Sequence, residues 1–356
     1  MHRPLALKAR MEPTNIFDPN YFHKVVDCQH ACPAHTPVPE YIRLIAQERY
    51  TEAYMLNWDS NVFPGVLGRT CDRPCEPACR QVRTEETPVA ICRLKRAAAD
   101  NKGDVTPYLP HVPTEKNGKR IALIGAGPAS LAVARDLLPF GYEVHLFEQD
   151  EKGGGFMRSQ IPAFRLPEEV LDEEVDRILN MGVHCHFGQA IDSMKELMEQ
   201  QFDAYFIGTG APRGRDLELT GRDDVNDYIH IGIDWLSSVA FGHITEIKGK
   251  VIVMGGGNTA MDCCRTSLRL GAESVKVVVR SAFEVMKASE WEKEDAMREG
   301  IPIINNRPPK EFVHENGKLK GVLFECVTPV RGEDGRLRYE PSGEPDEFIE
   351  CDHVLM

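Results

Sequence analysis

The 356-residue chain lacks the long apolar run, about 18–20 residues, that a membrane-spanning helix needs. Its first residues lead into no apolar core of the kind found in secretory signal peptides. It also lacks an excess of positive charge, because 55 acidic residues outweigh 42 Lys and Arg and give a net charge of -13. An acidic surface repels nucleic acid. These absences predict a cytoplasmic protein without membrane insertion and without a nucleic-acid partner.

The common cysteine spacings of zinc knuckles and of covalently attached haem are absent as well, because no Cys-x2-Cys pair occurs. Six of the eleven cysteines instead crowd into one Pro-rich stretch, mostly as Cys-x3-Cys. Thiolates in such a setting favour an iron–sulfur cluster, with zinc and free thiols as alternatives. Six exceed the four thiolates of one [4Fe–4S] cluster but fall short of the eight for two. The candidate ligands are Cys28, Cys32, Cys71, Cys75, Cys79 and Cys92.

The other five cysteines carry weaker signals. Cys263 and Cys264 are adjacent and lack the spacing of a redox-active pair beside a flavin. Cys185, Cys326 and Cys351 are expected to be buried apolar residues.

From Lys119 onward, apolar strand-like runs alternate with helix-like segments, which predicts an α/β fold with doubly wound parallel sheets. Before residue 110 only short helices are predicted, and Asn101–Gly118 is typical of a linker. The predicted helices are Glu40–Tyr50, Thr51–Trp58, Ala129–Leu138, Glu168–Met181 and Thr259–Leu270, and the predicted strands are Arg120–Ile124, Glu143–Phe147, Val183–Phe187, Ala204–Ile207, Val251–Met254 and Ser274–Val279, with one or two more in Phe348–Met356.

The first of two glycine-rich turns lies between a predicted strand and a predicted helix. Gly125 permits the tight turn, and Gly127 lets the backbone approach a pyrophosphate at the helix N-terminus. Glu148 ends the next strand and is placed to accept a hydrogen bond from a ribose hydroxyl. Ser130 replaces the third glycine of the fingerprint. Strand, turn, helix and acid together predict a dinucleotide site.

The second turn, Gly255–Ala260, has the same strand–turn–helix setting, but Arg280 follows the next strand instead of a carboxylate. An arginine there can pair with a 2′-phosphate, which favours NADP over NAD, with Lys287 nearby. The alternative is that both are solvated surface charges. Two turns predict two dinucleotides, FAD and NAD(P)H, with the flavin carrying the chemistry and no catalytic side chain required.

These observations predict two doubly wound dinucleotide-binding domains preceded by an α-helical iron–sulfur domain. The predicted boundaries are 1–110 for the helical iron–sulfur domain, 119–245 for the first part of the FAD-binding domain, 246–330 for the NAD(P)-binding domain, and 331–356 for a return toward the FAD domain. The abrupt end of the chain suggests a truncated fragment of a longer polypeptide.

Several of these stretches together resemble the small, β-type subunit of bacterial glutamate synthase and the N-terminal half of dihydropyrimidine dehydrogenase. The resemblance covers nearly the whole chain. The stretches that carry it are Ala31–Thr36, Gly68–Cys79, Gly125–Ser130, Ser159–Pro167, Gly208–Gly210 and Gly255–Ala260.

The resemblance implies which residues contact each cofactor. For FAD these are Gly125, Gly127, Pro128, Ala129, Ser130, Glu148, Gln149, Gly155, Phe156, Arg165 and Thr209; for NAD(P)H they are Gly257, Asn258, Thr259, Arg280 and Lys287. The family's usual second basic residue after Arg280 is Ser281 here, which weakens the preference for NADP.

Relatives commonly hold two [4Fe–4S] clusters and have a further cysteine pair upstream of the position of Cys28, where this chain has none. The resemblance implies one cluster on Cys32, Cys71 and Cys75, and we expect Cys92 as its fourth ligand. A second cluster at Cys28 and Cys79 would need non-cysteine ligands such as His23 or His30.

The function expected is transfer of electrons between NAD(P)H, FAD and a [4Fe–4S] cluster, to or from a partner redox protein or subunit. The family includes such electron-input modules, among them a flavoprotein that partners dissimilatory sulfite reductase. One alternative is a glutamate synthase small subunit that supplies NADPH electrons for glutamate formation. The other is a non-catalytic, zinc-binding docking or assembly protein.

Overall fold

A computed structural model describes residues 26–211, 213–214, 216–332 and 336–356. The described residues form two compact units. The helical unit contains those up to Glu115, with Pro139–Gly141 and Glu169–Met181, and the sheet unit contains Lys116–Leu138, Tyr142–Glu168 and Gly182–Met356. Within the described ranges, no helix is both long and apolar enough to cross a membrane.

Short helices make up the described N-terminal part, as predicted. The helix predicted over Glu40–Tyr50 ends at Ala46, because Glu48 adopts a positive φ of 60° and turns the chain into the next helix. The six helices are α1 (Asp27–Ala31), α2 (Val38–Ala46), α3 (Tyr50–Asn61), α4 (Pro64–Thr70), α5 (Val82–Glu85) and α6 (Ile91–Asp100).

The core of the helical unit lies between α2, α3 and α6, where Tyr41, Ala53 and Ile91 are buried. Helices α4 and α6 approach closely because Gly68 has no side chain. A Cβ there would lie 2.7 Å from the Cα of Arg96.

The first sheet of the sheet unit is parallel and has the order β3-β2-β1-β4. Its central strand is almost completely buried, as expected for a parallel strand covered on both faces. Pro128 at the first turn of α7 suits the missing N–H of proline. The elements are β1 (Arg120–Ile124), α7 (Pro128–Leu137), β2 (Glu143–Phe147), α8 (Phe156–Ser159), α9 (Glu168–Leu179), β3 (His184–His186), α10 (Met194–Met198) and β4 (Ala204–Ile207).

The second sheet is also parallel, with the order β5-β14-β6-β7-β8. Alternate residues of its strands face two different cores: Val251 and Val253 pack with α12, whereas Ile252 lies in the opposite core. Its elements are β5 (Ile229–His230), α11 (Gly232–Ala240), β6 (Lys250–Met254), α12 (Asn258–Arg269), β7 (Ser274–Val278), α13 (Glu290–Arg298) and β8 (Ile303–Ile304), with β14 (His353–Leu355) from the end of the chain.

An antiparallel layer, which the sequence reasoning did not predict, contributes the buried Phe312, Val322 and Phe324 to that opposite core. The hairpin between its first two strands turns at Asn316 and Gly317, both with positive φ. An Asn-Gly pair between apolar runs is a hairpin signal that would have predicted it. The strands are β9 (Pro309–Glu315), β10 (Lys318–Phe324) and β13 (Glu347–Glu350), and β11 (Val327–Arg331) pairs with β12 (Leu337–Pro341) as a separate ribbon.

Three predicted boundaries need correction. Residues before 246 already belong to the second sheet, because β5 pairs with β14. Within the stretch 331–356, expected to return toward the FAD domain, β14 instead completes the second sheet, where it lies between β5 and β6. Residues 169–181, placed inside the FAD-binding domain, belong to the helical unit. All three corrections depend on contacts between segments that are distant in sequence.

Candidate functional site

The first glycine turn is packed so tightly that a side chain would have no room at Gly125 or Gly155. Gly125 has φ of 92°, and a Cβ there would lie 2.6 Å from the carbonyl oxygen of Gly208. Gly155 has φ of 50°, and its Cβ would lie 2.7 Å from the Cα of Gly127. The backbones of three loops, which follow β1, β2 and β4, are therefore in direct contact. Only glycine has room at these contacts.

Glu148 holds this turn together from the end of β2. Its buried carboxylate accepts hydrogen bonds from the backbone N–H of Ala126 at 2.6 Å and of Asp150 at 3.1 Å. The predicted acidic residue is thus directly bound to the glycine turn.

The N-terminus of α7 opens at this turn. Gly127 is its N-cap, and no side chain caps its free N–H groups. The Ser130 hydroxyl is fully buried and has no hydrogen-bond partner among the described residues. Uncapped N–H groups and an unpaired buried hydroxyl suit an anionic ligand with hydrogen-bonding oxygens. Pro128, Ala129, Gln149, Phe156 and Thr209 are exposed.

Arg165 forms ion pairs with two buried carboxylates. Its guanidinium bonds both oxygens of Asp262, at 2.7 and 2.6 Å, and Glu292 at 2.8 Å. These partners lie on α12 and α13, so Arg165 ties the loop after α8 to the second sheet's helices. Burial raises the pKa of Asp262 to about 6 in spite of this arginine. Arg165 is thus a bridging ion-pair residue, and its expected contact with FAD stays a prediction.

The second glycine turn shares two features with the first, a positive φ at its first glycine and an uncapped helix N-terminus. Gly255 has φ of 152°, and a Cβ at Gly257 would meet nothing within 4 Å. Gly257 is the N-cap of α12, again without a side-chain cap. The side chain of Asn258 accepts a hydrogen bond from the Ser289 N–H at 2.9 Å, and Thr259 is partly buried beside it. The turn leaves open space beside free helix N–H groups.

Arg280 and Lys287 both lie exposed beyond the end of β7. Neither is in any ion pair found among the described residues, although acidic residues outnumber basic ones in this chain. Unneutralised cations beside a nucleotide-type turn suit a phosphate.

The six clustered cysteines affect one another's pKa, which shows that several of the thiols are neighbours. The Cys79 thiol raises the pKa of Cys28, after the larger effect of burial. Burial raises the pKa of Cys75 to about 12, and Cys71 and Cys32 add to that rise. A hydrogen bond joins Cys92 to Cys71, lowering the pKa of Cys71 to about 6. Cys79 is therefore a neighbour of Cys28, and Cys71 is a neighbour of both Cys75 and Cys92.

Packing explains how Cys92, on α6, reaches the loop that follows α4. Because Gly68 lets the two helices touch, the Cys92 thiol lies 3.3 Å from the carbonyl oxygen of Leu67 and 3.4 Å from that of Gly68. Lys95, buried one turn further on, lowers the pKa of Cys71 and Cys75 by its charge. Neighbouring thiols beside a buried cation match the donor chemistry of an iron–sulfur cluster.

The remaining predicted ligands are less well placed. His30 is exposed and stacks on His35, with ring centroids 6.1 Å apart. His23 lies outside the described residues. None of the eleven cysteines, all of which lie within the described ranges, forms a disulfide bond, including the buried Cys263 and Cys264.

The prediction of buried positions is confirmed for Cys326 and Cys351, but Cys185 is exposed on the edge strand β3. Its neighbours His184 and His186 are also polar, so this strand lacks the apolar pattern of a covered one.

Family comparisons agree with this geometry. Residues 119–356 match the model of pyridine nucleotide-disulphide oxidoreductases. The chain belongs to this oxidoreductase family. Residues 22–106 match the model of dihydropyrimidine dehydrogenase domain II, 4Fe-4S cluster. Together the two matches confirm the predicted cofactor types: FAD with a nicotinamide nucleotide, and a [4Fe–4S] cluster.

Several curated proteins of known name are similar to this oxidoreductase. It is 36% identical to NADPH-Fe(3+) oxidoreductase subunit beta of Geobacter sulfurreducens, over 96% of this chain and 52% of that protein. It is 31% identical to the glutamate synthase [NADPH] small chain of Escherichia coli, over 92% of this chain and 73% of that one, which confirms the predicted resemblance. The oxidoreductase thus spans about half the length of the first of these relatives.

Among solved structures, FprA of Mycobacterium tuberculosis shares the fold, with a TM-score of 0.55 at 17% identity over 67% of this chain and 70% of that one. The α/β prediction with parallel nucleotide-binding sheets is confirmed.

Proposed function

We propose that the chain is an NAD(P)H:acceptor oxidoreductase, or the corresponding part of one, that passes electrons between NAD(P)H, FAD and a [4Fe–4S] cluster. The observation that carries the proposal is the coexistence of two uncapped glycine-turn helices in one compact unit with a group of neighbouring thiols in the other. FAD bound there supplies the exchange between two-electron nicotinamide chemistry and one-electron iron–sulfur chemistry.

At the first turn, the chain's own residues bind and orient FAD. The N-terminus of α7 would face the pyrophosphate and Glu148 the ribose, while the exposed Phe156 and Thr209 would line the approach. The buried Ser130 hydroxyl is placed to bond an oxygen of the ligand.

Glu148→Gln tests the FAD site. The amide can accept only one of the two backbone hydrogen bonds, so we expect flavin affinity to fall at least tenfold, about 1–3 kcal/mol for an unpaired buried group. Glu151→Gln, at an exposed neighbouring position, is the matched control. Equal flavin dissociation constants for the two variants, measured by fluorescence, would exclude this role for Glu148.

At the second turn, the free N–H groups of α12 would meet the nicotinamide nucleotide. The exposed and unneutralised Arg280, with Lys287, supports NADPH over NADH. We expect Arg280→Ser to raise KM for NADPH about tenfold and to leave KM for NADH nearly unchanged, because one charge-assisted pair is lost. The exposed Lys318→Ala is the control, and an unchanged KM ratio in Arg280→Ser would refute the assignment.

For the cluster we propose the ligands Cys32, Cys71, Cys75 and Cys92, the set that the electrostatic coupling and the Cys71–Cys92 hydrogen bond support. Cys28 and Cys79, which are neighbours of each other, are not part of the proposed set. Anaerobically purified protein should then contain about four iron and four sulfide per chain. Cys92→Ser should lose them, whereas Cys185→Ser should not. About eight iron per chain would instead support a second cluster, and zinc without sulfide would support the docking-protein alternative.

The electron acceptor is proposed to be a partner redox protein or subunit. The names of the Geobacter and Escherichia coli relatives describe subunits, which supports an assembly but does not name a partner for this chain. Supply of NADPH electrons for glutamate formation is the alternative, supported by the second of these relatives. Absence of both flavin absorbance and NAD(P)H-dependent dye reduction in the full-length protein would refute the proposed function.

A further inference from the structure

The edge of the first sheet carries a cluster of histidines that none of the proposed cofactor sites uses. Strands β2 and β3 are parallel neighbours, and their register places His145 opposite His184 and Phe147 opposite His186. Because alternate residues share a face of a strand, Glu143 and His145 lie on the same face, together with His184 and His186. One sheet face thus gathers three imidazoles and one carboxylate.

The side chains on that face converge. One ligand atom each from Glu143, His145 and His184 lies within 4.8 Å of the other two. The His145 Nε2 is 2.7 Å from the Glu143 Oε1, and the rings of His145 and His184 stack with centroids 4.7 Å apart. Two imidazole nitrogens and a carboxylate oxygen are a donor set that divalent transition metals prefer.

A hydrogen bond between His145 and His186 orients the His145 ring, which lies between the other two candidate ligands. The His186 Nε2 lies 3.2 Å from the His145 Nδ1, and the His186 ring stacks against Phe147 at 4.5 Å. Metal-binding histidines commonly use the second ring nitrogen for such a bond, which fixes the tautomer. A neutral His145 has one N–H but two polar neighbours, Glu143 and His186. With a cation bound to the His145 Nε2, the N–H would be on Nδ1 and could donate to His186, while Glu143 would bind the same cation.

We propose that Glu143, His145 and His184 bind a divalent first-row transition-metal ion such as Zn²⁺, with His186 as the positioning residue of His145. Tetrahedral zinc with bonds of about 2.1 Å needs ligand atoms about 3.4 Å apart, which small movements of these side chains would give. His184 is exposed and Glu143 partly exposed, so both have room to move and water completes the coordination.

Arg120 is the cation that the ion would displace. Its Nε lies 3.5 Å from the Glu143 Oε1, and its guanidinium stacks on the Phe202 ring at 4.4 Å. A partly exposed ion pair at this distance contributes little to stability, so Arg120 can give up Glu143 to a metal ion. The ion would join the edge strand β3 to β2, where its ligands Glu143 and His145 lie five and three residues before Glu148.

Zinc binding by the anaerobically purified holoprotein tests this site. After dialysis against Zn²⁺, zinc and iron are counted per chain by mass spectrometry, with iron showing that the cysteine cluster is occupied. We expect about one zinc per chain in the wild type, at least tenfold weaker binding in His184→Asn, and the same loss in His145→Asn. His243→Asn, at another exposed histidine, and Cys185→Ser should bind zinc as the wild type does.

Equal zinc binding in the wild type and His184→Asn would overturn the proposal, as would no zinc binding in the wild type. His184 is exposed, so its variant should fold even if the partly buried His145 variant does not. Flavin content and dye reduction report on the proposed function separately, because none of these variants touches either glycine turn.

Discussion

Single glycines decide how closely the loops around the first turn can approach. At Gly125 two costs coincide, since a side chain would meet both a positive φ and the Gly208 carbonyl oxygen at 2.6 Å. At Gly118 the φ is also positive, 79°, but a Cβ would meet nothing within 4 Å. These two residues separate the effect of backbone conformation from that of close contact.

Gly125→Ala should therefore lose FAD, whereas Gly118→Ala should keep it. We expect Gly118→Ala to cost about 1–2 kcal/mol of folding stability from backbone strain alone, and Gly125→Ala to cost more because the loop after β4 must move. Flavin content and thermal unfolding of the purified variants measure both effects. Equal flavin content in the two variants would contradict the role of the close contact.

At the scale of helices, the packing of α4 on α6 sets the geometry of the thiols. Helix α6 carries Cys92, and the loop after α4 carries Cys71. Their distance depends on Gly68, whose Cβ would lie 2.7 Å from the Cα of Arg96. Helix separation and cluster geometry are thus coupled through one residue.

Gly68→Ala should push these helices apart and lower the iron and sulfide content by at least half. Gly103→Ala is the control, because its Cβ would make only an ordinary contact, 3.5 Å from Thr51 Oγ1. That change should be neutral, or should stabilise by about 0.4–1 kcal/mol through the unfolded state. Full cluster content in Gly68→Ala would show that helix separation does not control the site.

At the scale of the whole molecule, the helical unit is completed by a segment far along the chain. Glu174, on α9, is almost fully buried and accepts hydrogen bonds from the backbone N–H groups of Gly65 and Val66, at 2.7 and 3.0 Å. It also accepts one from the Tyr54 hydroxyl at 2.8 Å. Burial raises the pKa of Glu174, but three donors and the charge of Arg177 oppose that rise. One carboxylate therefore joins residues 169–181 to α3 and α4.

Glu174→Gln should destabilise the helical unit by about 2–4 kcal/mol, because an amide leaves one buried N–H group unpaired and removes the charge. Faster hydrogen exchange in α4 would report the loss. Glu169→Gln, on the same helix but exposed, should leave exchange unchanged. Equal exchange in both variants would show that Glu174 does not hold the unit together.

Local patterns in the sequence determined much of this protein. The glycine turns, the strands Arg120–Ile124, Glu143–Phe147 and Ala204–Ile207, and the acidic residue at the end of β2 were predictable. Each depends on residues that are neighbours in the chain, where apolar periodicity and backbone conformation act directly.

Tertiary structure alone decided the features that join distant segments. The insertion of β14 beside β6, the capping of α4 by Glu174, the binding of Arg165 to Asp262 and the convergence of His145 with His184 have no local signal. Their physical reason is shared: a hydrogen bond or ion pair between remote residues forms only once the intervening chain has packed, so neither partner shows it in its own sequence surroundings.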